Sequence, residues 1–143
     1  MVEERRHMPI EVHLTVRGGN DAIAFYRRAF GAVEDFKKMS DDGKRVLHAT
    51  LSVFGGQIML NDEFPEYSPD TESPQSRGGA SVTIHVNLDR PENVDRAVEK
   101  ATDEGATVTM PVEDTFWGMR YGRLRDPFGH VWSIGASLPT SAD

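Results

Sequence analysis

The chain has 143 residues, close to one domain on the usual scale of roughly 100 to 200 residues, so a string of separate catalytic and regulatory domains is excluded. It contains no cysteine, which removes disulfides, thiolate metal sites, iron–sulfur clusters and a cysteine nucleophile and leaves His, Asp and Glu as the metal ligands available. With 16 Lys and Arg against 23 Asp and Glu the net charge is −7, and the basic pairs in the body of the chain, Arg27-Arg28, Lys37-Lys38 and Lys44-Arg45, make no basic stripe, so a nucleic-acid partner is not expected.

The amino terminus, MVEERRHMPIEV, is charged where a signal peptide needs an apolar stretch, and no segment approaches the ~20 apolar residues of a membrane span. A cytoplasmic protein with no membrane partner is the expectation. An alternating strand over Glu11–Arg17 leads to a helix, with Asn20 as N-cap, Ala22, Ile23, Tyr26, Ala29 and Phe30 at helical spacing, and Gly31 as the stop. Three further extended runs follow: Val33–Met39, Arg45–Val53 after an Asp41-Asp42-Gly43 turn, and Gln57–Asn61 after Gly55-Gly56.

The same order then recurs. A strand over Ser81–Asn87 precedes a helix with Pro91 in its first turn, Val94, Ala97, Val98 and Ala101 on one stripe, and Gly105 at its end. Strands over Thr107–Val112, Arg120–Asp126 and Val131–Gly135 complete the second set, with Asp126-Pro127-Phe128-Gly129 placed as a type I turn. An offset of 73 superposes Leu51 on Leu124 and Gly56 on Gly129, so the chain reads as a weak internal duplication, β-α-β-β-β twice. The predicted organisation is one domain over 1–143 with modules at about 9–62 and 80–136. Between them a Pro, Ser, Glu and Gly-rich linker at about 63–79 is either mobile or a cover.

Sorting the strands by alternation yields an apolar face of Val12, Leu14, Val16, Ala49, Leu51, Val53, Ile58, Leu60, Val82, Ile84, Val86, Leu124, Trp132 and Ile134, which should pack on the helices. The opposite face collects Glu11, His13, Thr15, His48, Thr50, Ser52, Gln57, Met59, Asn61, Ser81, Thr83, His85, Asn87, Tyr121, Arg123, Arg125, Val131 and Ser133. It holds no lysine and a single glutamate. That composition suits an enclosed polar cavity better than a solvated sheet face. His13, His48 and His85 are the candidate proton carriers or metal ligands, against the plainer role of hydrogen-bonded wall residues. Arg120, Arg123 and Arg125 are placed to clamp a carboxylate or phosphate, or else to pair with Asp114 or Asp126. Trp117, beside Phe116, supplies a stacking surface or a core residue.

The segments HLTVRGGNDAIAFYRRAFGAVE (13–34), HATLSVFGGQIMLND (48–62) and FWGMRYGRLRDPFGHVWSI (116–134) resemble the vicinal oxygen chelate superfamily, the glyoxalase, bleomycin-resistance and dioxygenase proteins, most closely its PhnB-like branch. The resemblance implies an α+β fold of two tandem βαβββ modules, whose curved mixed sheets form a cup with helices outside, assembled as a homodimer. It also implies a divalent metal in the enzyme members. Their ligand positions carry over to Glu11, Thr50, Ser81 and Ser133, of which only Glu11 is a strong donor.

The expected function is therefore metal-free binding of a small molecule, for drug or metabolite sequestration, with no cofactor. The binding set is Glu11, His13, His48, Thr50, Met59, Ser81, Thr83, His85, Trp117, Arg120, Tyr121, Arg123 and Ser133. The alternative is an enzyme: a metal-dependent lyase, isomerase or dioxygenase using a divalent ion on relocated ligands such as Glu11, His13 and His48, or a metal-free one using a histidine base.

Overall fold

The computed structural model describes residues 8–140. Residues 1–7 of the charged amino-terminal stretch, and the last three of a tail expected to fray, lie outside the described residues. Two compact units divide the chain, the first ending at Gly79 and the second beginning at Ala80.

The first unit runs β1 (Val12–Val16), α1 (Gly19–Phe30), β2 (Val33–Met39), β3 (Val46–Val53) and β4 (Gly56–Asp62). Its sheet has the order β1-β4-β3-β2, with β1 parallel to β4 and the other neighbours antiparallel. Leu14, Val16, Leu51 and Leu60 meet Ala22, Ile23, Phe25, Tyr26 and Phe30 of α1 in one core. Each fully buried side chain of this size stabilises by roughly 1.5–3 kcal/mol relative to exposure. Gly31 ends α1 at φ 69, where a left-handed residue frees the backbone to turn back.

The start of α1 differs from the expectation. Its cap is not Asn20, which sits inside the helix, but a buried carboxylate from the end of β4. Asp62 Oδ1 accepts the amides of Gly18 at 2.8 Å and Gly19 at 2.9 Å, and Oδ2 accepts that of Val46 at 2.7 Å. A carboxylate there meets both the orphan donors and the positive end of the helix. Gly19 is needed for this approach, since a Cβ would fall 2.6 Å from Asp62 Oδ2 and from Val46 Cγ2.

Strict alternation also fails twice along the β2–β3 ladder. Lys38 pairs with His48 and Met39 with Val46, so Leu47 is an extra residue in a bulge, and Asp35 is another between Glu34 and Phe36. The consequence is a correction to the polar face. Phe36 and Lys38 lie across from Thr50 and His48 on that face, which therefore is not free of lysine. The β3–β4 turn is centred on Phe54 and Gly55, both at positive φ (50 and 78), rather than on Gly55-Gly56.

The linker covers the end of this sheet. Ser73 caps a single helical turn, α2 (Pro74–Arg77), by accepting the Ser76 amide at 3.3 Å. Phe64 is buried beneath the Arg45 guanidinium, 4.0 Å from its ring centroid, and Arg45 donates to the Glu63 carbonyl at 3.0 Å and to the Glu66 carboxylate at 2.6 Å. The Glu63 carboxylate accepts from Arg17 Nε at 3.3 Å and from the Ser73 amide at 2.8 Å.

Burial pushes the Glu63 carboxyl up, but hydrogen bonds from Ser76, Ser73 and Arg17 outweigh it and hold it at about 2, below its ordinary 4.5. A depressed carboxyl contributes stability that is present above pH 4.5 and is lost as pH falls toward 2. Screening by solvent limits that contribution to about 1–2 kcal/mol. Urea unfolding at pH 7 and near pH 3 should show the wild type losing more stability on acidification than Glu63→Gln; equal losses would mean the linker is not fastened this way.

The second unit repeats the order: β5 (Thr83–Asn87), α3 (Pro91–Asp103), β6 (Thr107–Asp114), β7 (Met119–Arg125) and β8 (Val131–Ser137). Its sheet has the order β5-β8-β7-β6, again with one parallel pair, β5 to β8. Val94, Val98 and Ala101 of α3 are buried with Leu124, Trp132 and Ile134. Asp126 closes the β7–β8 turn: Oδ1 accepts the amides of Phe128 at 2.8 Å and His130 at 3.1 Å, and Oδ2 accepts Trp132 Nε1 at 2.9 Å. It is thus a turn and core residue. Val82, expected on the helix side, precedes β5 and is 68% exposed. The outer strand β6 extends two residues past the expected Val112, to Asp114, and carries Pro111 within the second of its two register shifts, where no ladder donor is required.

Candidate functional site

In the first unit β1, β3 and β4 bring His13, His48, Thr50, Met59 and Asn61 to the face opposite α1, with Met59 in register with both His13 and Thr50. His13 is exposed, and its Nε2 lies 2.6 Å from Asn61 Oδ1. Asn61 Nδ2 donates to the Asp62 carbonyl at 2.6 Å, which fixes the amide's orientation. The His13 and His48 rings meet edge to face at 6.0 Å, and Phe36 stands 6.2 Å from His48. Glu11, half-buried, precedes β1.

A hollow of about 570 Å³ opens on this face, lined by His13, Thr15, Leu47, Asn61, Phe64, Tyr67, Ser68 and Thr71. Its floor comes from the sheet and one wall from the linker, so the segment read as mobile or a cover is a wall. The linker residues were not among the predicted site residues. The sequence signal for them was weak: two aromatics and two hydroxyls in a stretch with no period.

In the second unit Thr83, His85, Ser133, Tyr121 and Arg123 share the face opposite α3. Four of them, His85, Ser133, Tyr121 and Arg123, take part in hydrogen bonds on that face. Arg123 Nη2 donates to the Tyr121 hydroxyl at 2.9 Å, and His85 holds Ser133 Oγ at 2.8 Å through Nδ1 and Asn87 Oδ1 at 2.9 Å through Nε2. The His85 ring stacks on Tyr121 at 5.8 Å, and Trp117, half exposed, meets Tyr121 edge-on at 5.5 Å. Burial pushes the Tyr121 phenol up, but its contacts with Ser133 and the Arg123 guanidinium bring it below the ordinary phenol range. Arg123 Nε is buried with no acceptor among the described residues.

Two predicted site residues stand apart. Ser81 precedes β5 and is exposed. Arg120 lies on the helix side of β7, where it donates to both carboxylate oxygens of Asp95 on α3 at 2.8 Å and to Asp114 at 3.0 Å. Its partner set answers the pairing alternative for Asp114, and alternation explains the separation, since Tyr121 and Arg123 point to the other face.

The donor set does not fit the metal that the resemblance implies. Thr50 is a buried neutral hydroxyl, the Ser133 hydroxyl is engaged by His85, and Ser81 lies off its strand. Among the described residues, no three His, Asp or Glu side chains converge into a group able to hold a metal ion, Glu11, His13 and His48 included. No described helix is long and apolar enough to cross a membrane.

A Mycobacterium bovis protein is 44% identical to this chain over 124 residues, covering 86% of it and 79% of the relative. Among solved structures, the PhnB protein of Bacillus cereus superposes with a TM-score of 0.68 at 20% identity, covering 91% of this chain and 100% of that one. The fosfomycin resistance protein FosX of Listeria monocytogenes, complexed with Mn(II) and 1S,2S-dihydroxypropylphosphonic acid, superposes at 0.66 with 19% identity, covering 90% and 88%. At those identities the two structures show the shared fold. The family model for the Glyoxalase/Bleomycin resistance protein/Dioxygenase superfamily matches residues 10–134, and with the paired βαβββ units this places the chain in that superfamily.

Proposed function

We propose that this chain is a small-molecule-binding member of the superfamily that works without a metal ion, in the manner of the bleomycin-resistance proteins, sequestering a drug or metabolite in the cytoplasm. The observation that carries the reading is the hollow of the first unit. It offers an imidazole, a carboxamide and four side-chain hydroxyls beside the ring of Phe64 and the apolar Leu47, the mixture of a few polar groups on apolar walls that orients small ligands. Neutral hydroxyls at three of the four inherited ligand positions, Thr50, Ser81 and Ser133, support the metal-free part.

Saturation-transfer NMR against a panel of drugs and metabolites, cationic glycopeptides included, tests the proposal. Thr15→Trp, which fills the hollow from β1, should abolish any binding seen with the wild type while leaving the melting temperature within a few degrees. Binding that survives the substitution, or silence across the panel, would sink it.

A further inference from the structure

The two units each put a histidine of their first strand on the polar face, and in each the Nε2 atom meets an asparagine oxygen: His13 with Asn61 at 2.6 Å, His85 with Asn87 at 2.9 Å. A carboxamide oxygen only accepts, so the neutral form of an imidazole placed this way carries its proton on Nε2 and keeps a lone pair on Nδ1. For Asn61 the assignment is anchored, because its Nδ2 already donates to the Asp62 carbonyl at 2.6 Å.

The two lone pairs have different surroundings. In register with His85 stands Ser133, whose Oγ lies 2.8 Å from His85 Nδ1, so that lone pair is occupied by a hydroxyl proton. In register with His13 stands Met59, a thioether with no proton to donate, and His13 Nδ1 has no donor among the described residues. His13 is also the histidine that lines the hollow. A neutral imidazole with one nitrogen pinned by a fixed acceptor and the other nitrogen open is the arrangement a general base requires, with the base held by an orienting group.

We propose that His13 is a proton-accepting residue of the hollow, acting on a small polar molecule with an acidic C–H or O–H, and that Asn61 is its positioning residue. His85 does not share this role, since accepting a proton there would require displacing Ser133. The proposal rests on the hollow being a ligand site and adds a reaction to it. His48, 6.0 Å from His13 ring to ring, Lys38 in register with His48, Glu11 before β1, Asp35 hydrogen-bonded to Ser52, and Tyr67 in the wall of the hollow are titratable groups around that face.

Two measurements decide it. Nitrogen-15 side-chain NMR of the full chain, with His13 assigned among the five histidines by its loss in His13→Gln, should show a protonated Nε2 and a bare Nδ1. In Asn61→Leu the same ring should move to a mixture of tautomers. The second readout is turnover of 5-nitrobenzisoxazole. His13 Nδ1 takes the ring C–H proton, the C–H pair becomes part of a nitrile, and the N–O bond breaks to release a phenolate that is read by absorbance. His13→Gln should lower this rate roughly 100-fold, and Asn61→Leu should lower it less.

A proton on Nδ1 in the wild type, a tautomer indifferent to Asn61, a rate indifferent to His13, or no turnover above buffer would each overturn the inference. Panel binding that persists alongside such a result would leave the binding proposal standing. Loss of panel binding alone would remove the binding proposal, and the tautomer and the rate would still judge His13.

Discussion

Asp62→Ala should lower the free energy of unfolding by about 3–5 kcal/mol, a large share of the roughly 5–15 kcal/mol that holds a domain folded. The carboxylate is buried, and it alone collects the amides of Gly18, Gly19 and Val46, at 2.7–2.9 Å. Alanine would strand these donors at the junction of α1, β3 and β4. Asp62→Asn separates hydrogen bonding from packing. Its amide oxygen can still serve Gly18 and Gly19, but the amino group would confront the Val46 N–H, so recovery should be partial. The midpoint of urea denaturation for the three proteins, compared at constant m-value, checks the order wild type, Asn, Ala; an alanine variant as stable as the wild type would contradict it.

The corresponding loss in the second unit follows from Asp126→Ala, at about 2–4 kcal/mol. Two turn amides, Phe128 and His130, and the indole N–H of Trp132 depend on that one carboxylate, and Trp132 is only 1% exposed. Trp132→Phe keeps most of the buried ring and removes the indole donor. The double variant should therefore lose less than the sum of the two single losses, with a coupling of about 1–2 kcal/mol in a double-mutant cycle. Strict additivity would show that Asp126 acts through the turn alone.

Much of the architecture was legible because it is periodic. Ala22, Ile23, Tyr26 and Ala29 recur at helical spacing, the strands alternate, and the second half repeats the order of the first, so α1, α3, the eight strands and most of their sides could be read from residue types. What escaped depends on residues distant in sequence. Asp62 caps a helix that begins 43 positions before it, and no local window contains both. Leu47 and Asp35 break the alternation by one residue each, and it is pairing with Thr50 and His48 that puts Phe36 and Lys38, unassigned by alternation, on the polar face. Within the candidate site, His13, His48 and His85 were found by parity. The partners that set their chemistry, Asn61, Met59 and Ser133, follow from strand register, which a single sequence does not reveal. The linker wall was hidden for a different reason: Arg45 holds Phe64 and Arg17 holds Glu63 from far along the chain, and Tyr67, Ser68 and Thr71 then follow through local turns with no period of their own.

Pro111 has an effect on solubility that none of the above requires. Val108 and Met110 are among the more exposed apolar side chains, and they lie on the margin of the second sheet. A regular margin with such side chains would invite a foreign strand to zip on and seed fibres. A residue with no N–H, set inside a slip in register, interrupts the row of donors there, so these greasy side chains can stay open to water with little danger of polymerising the chain.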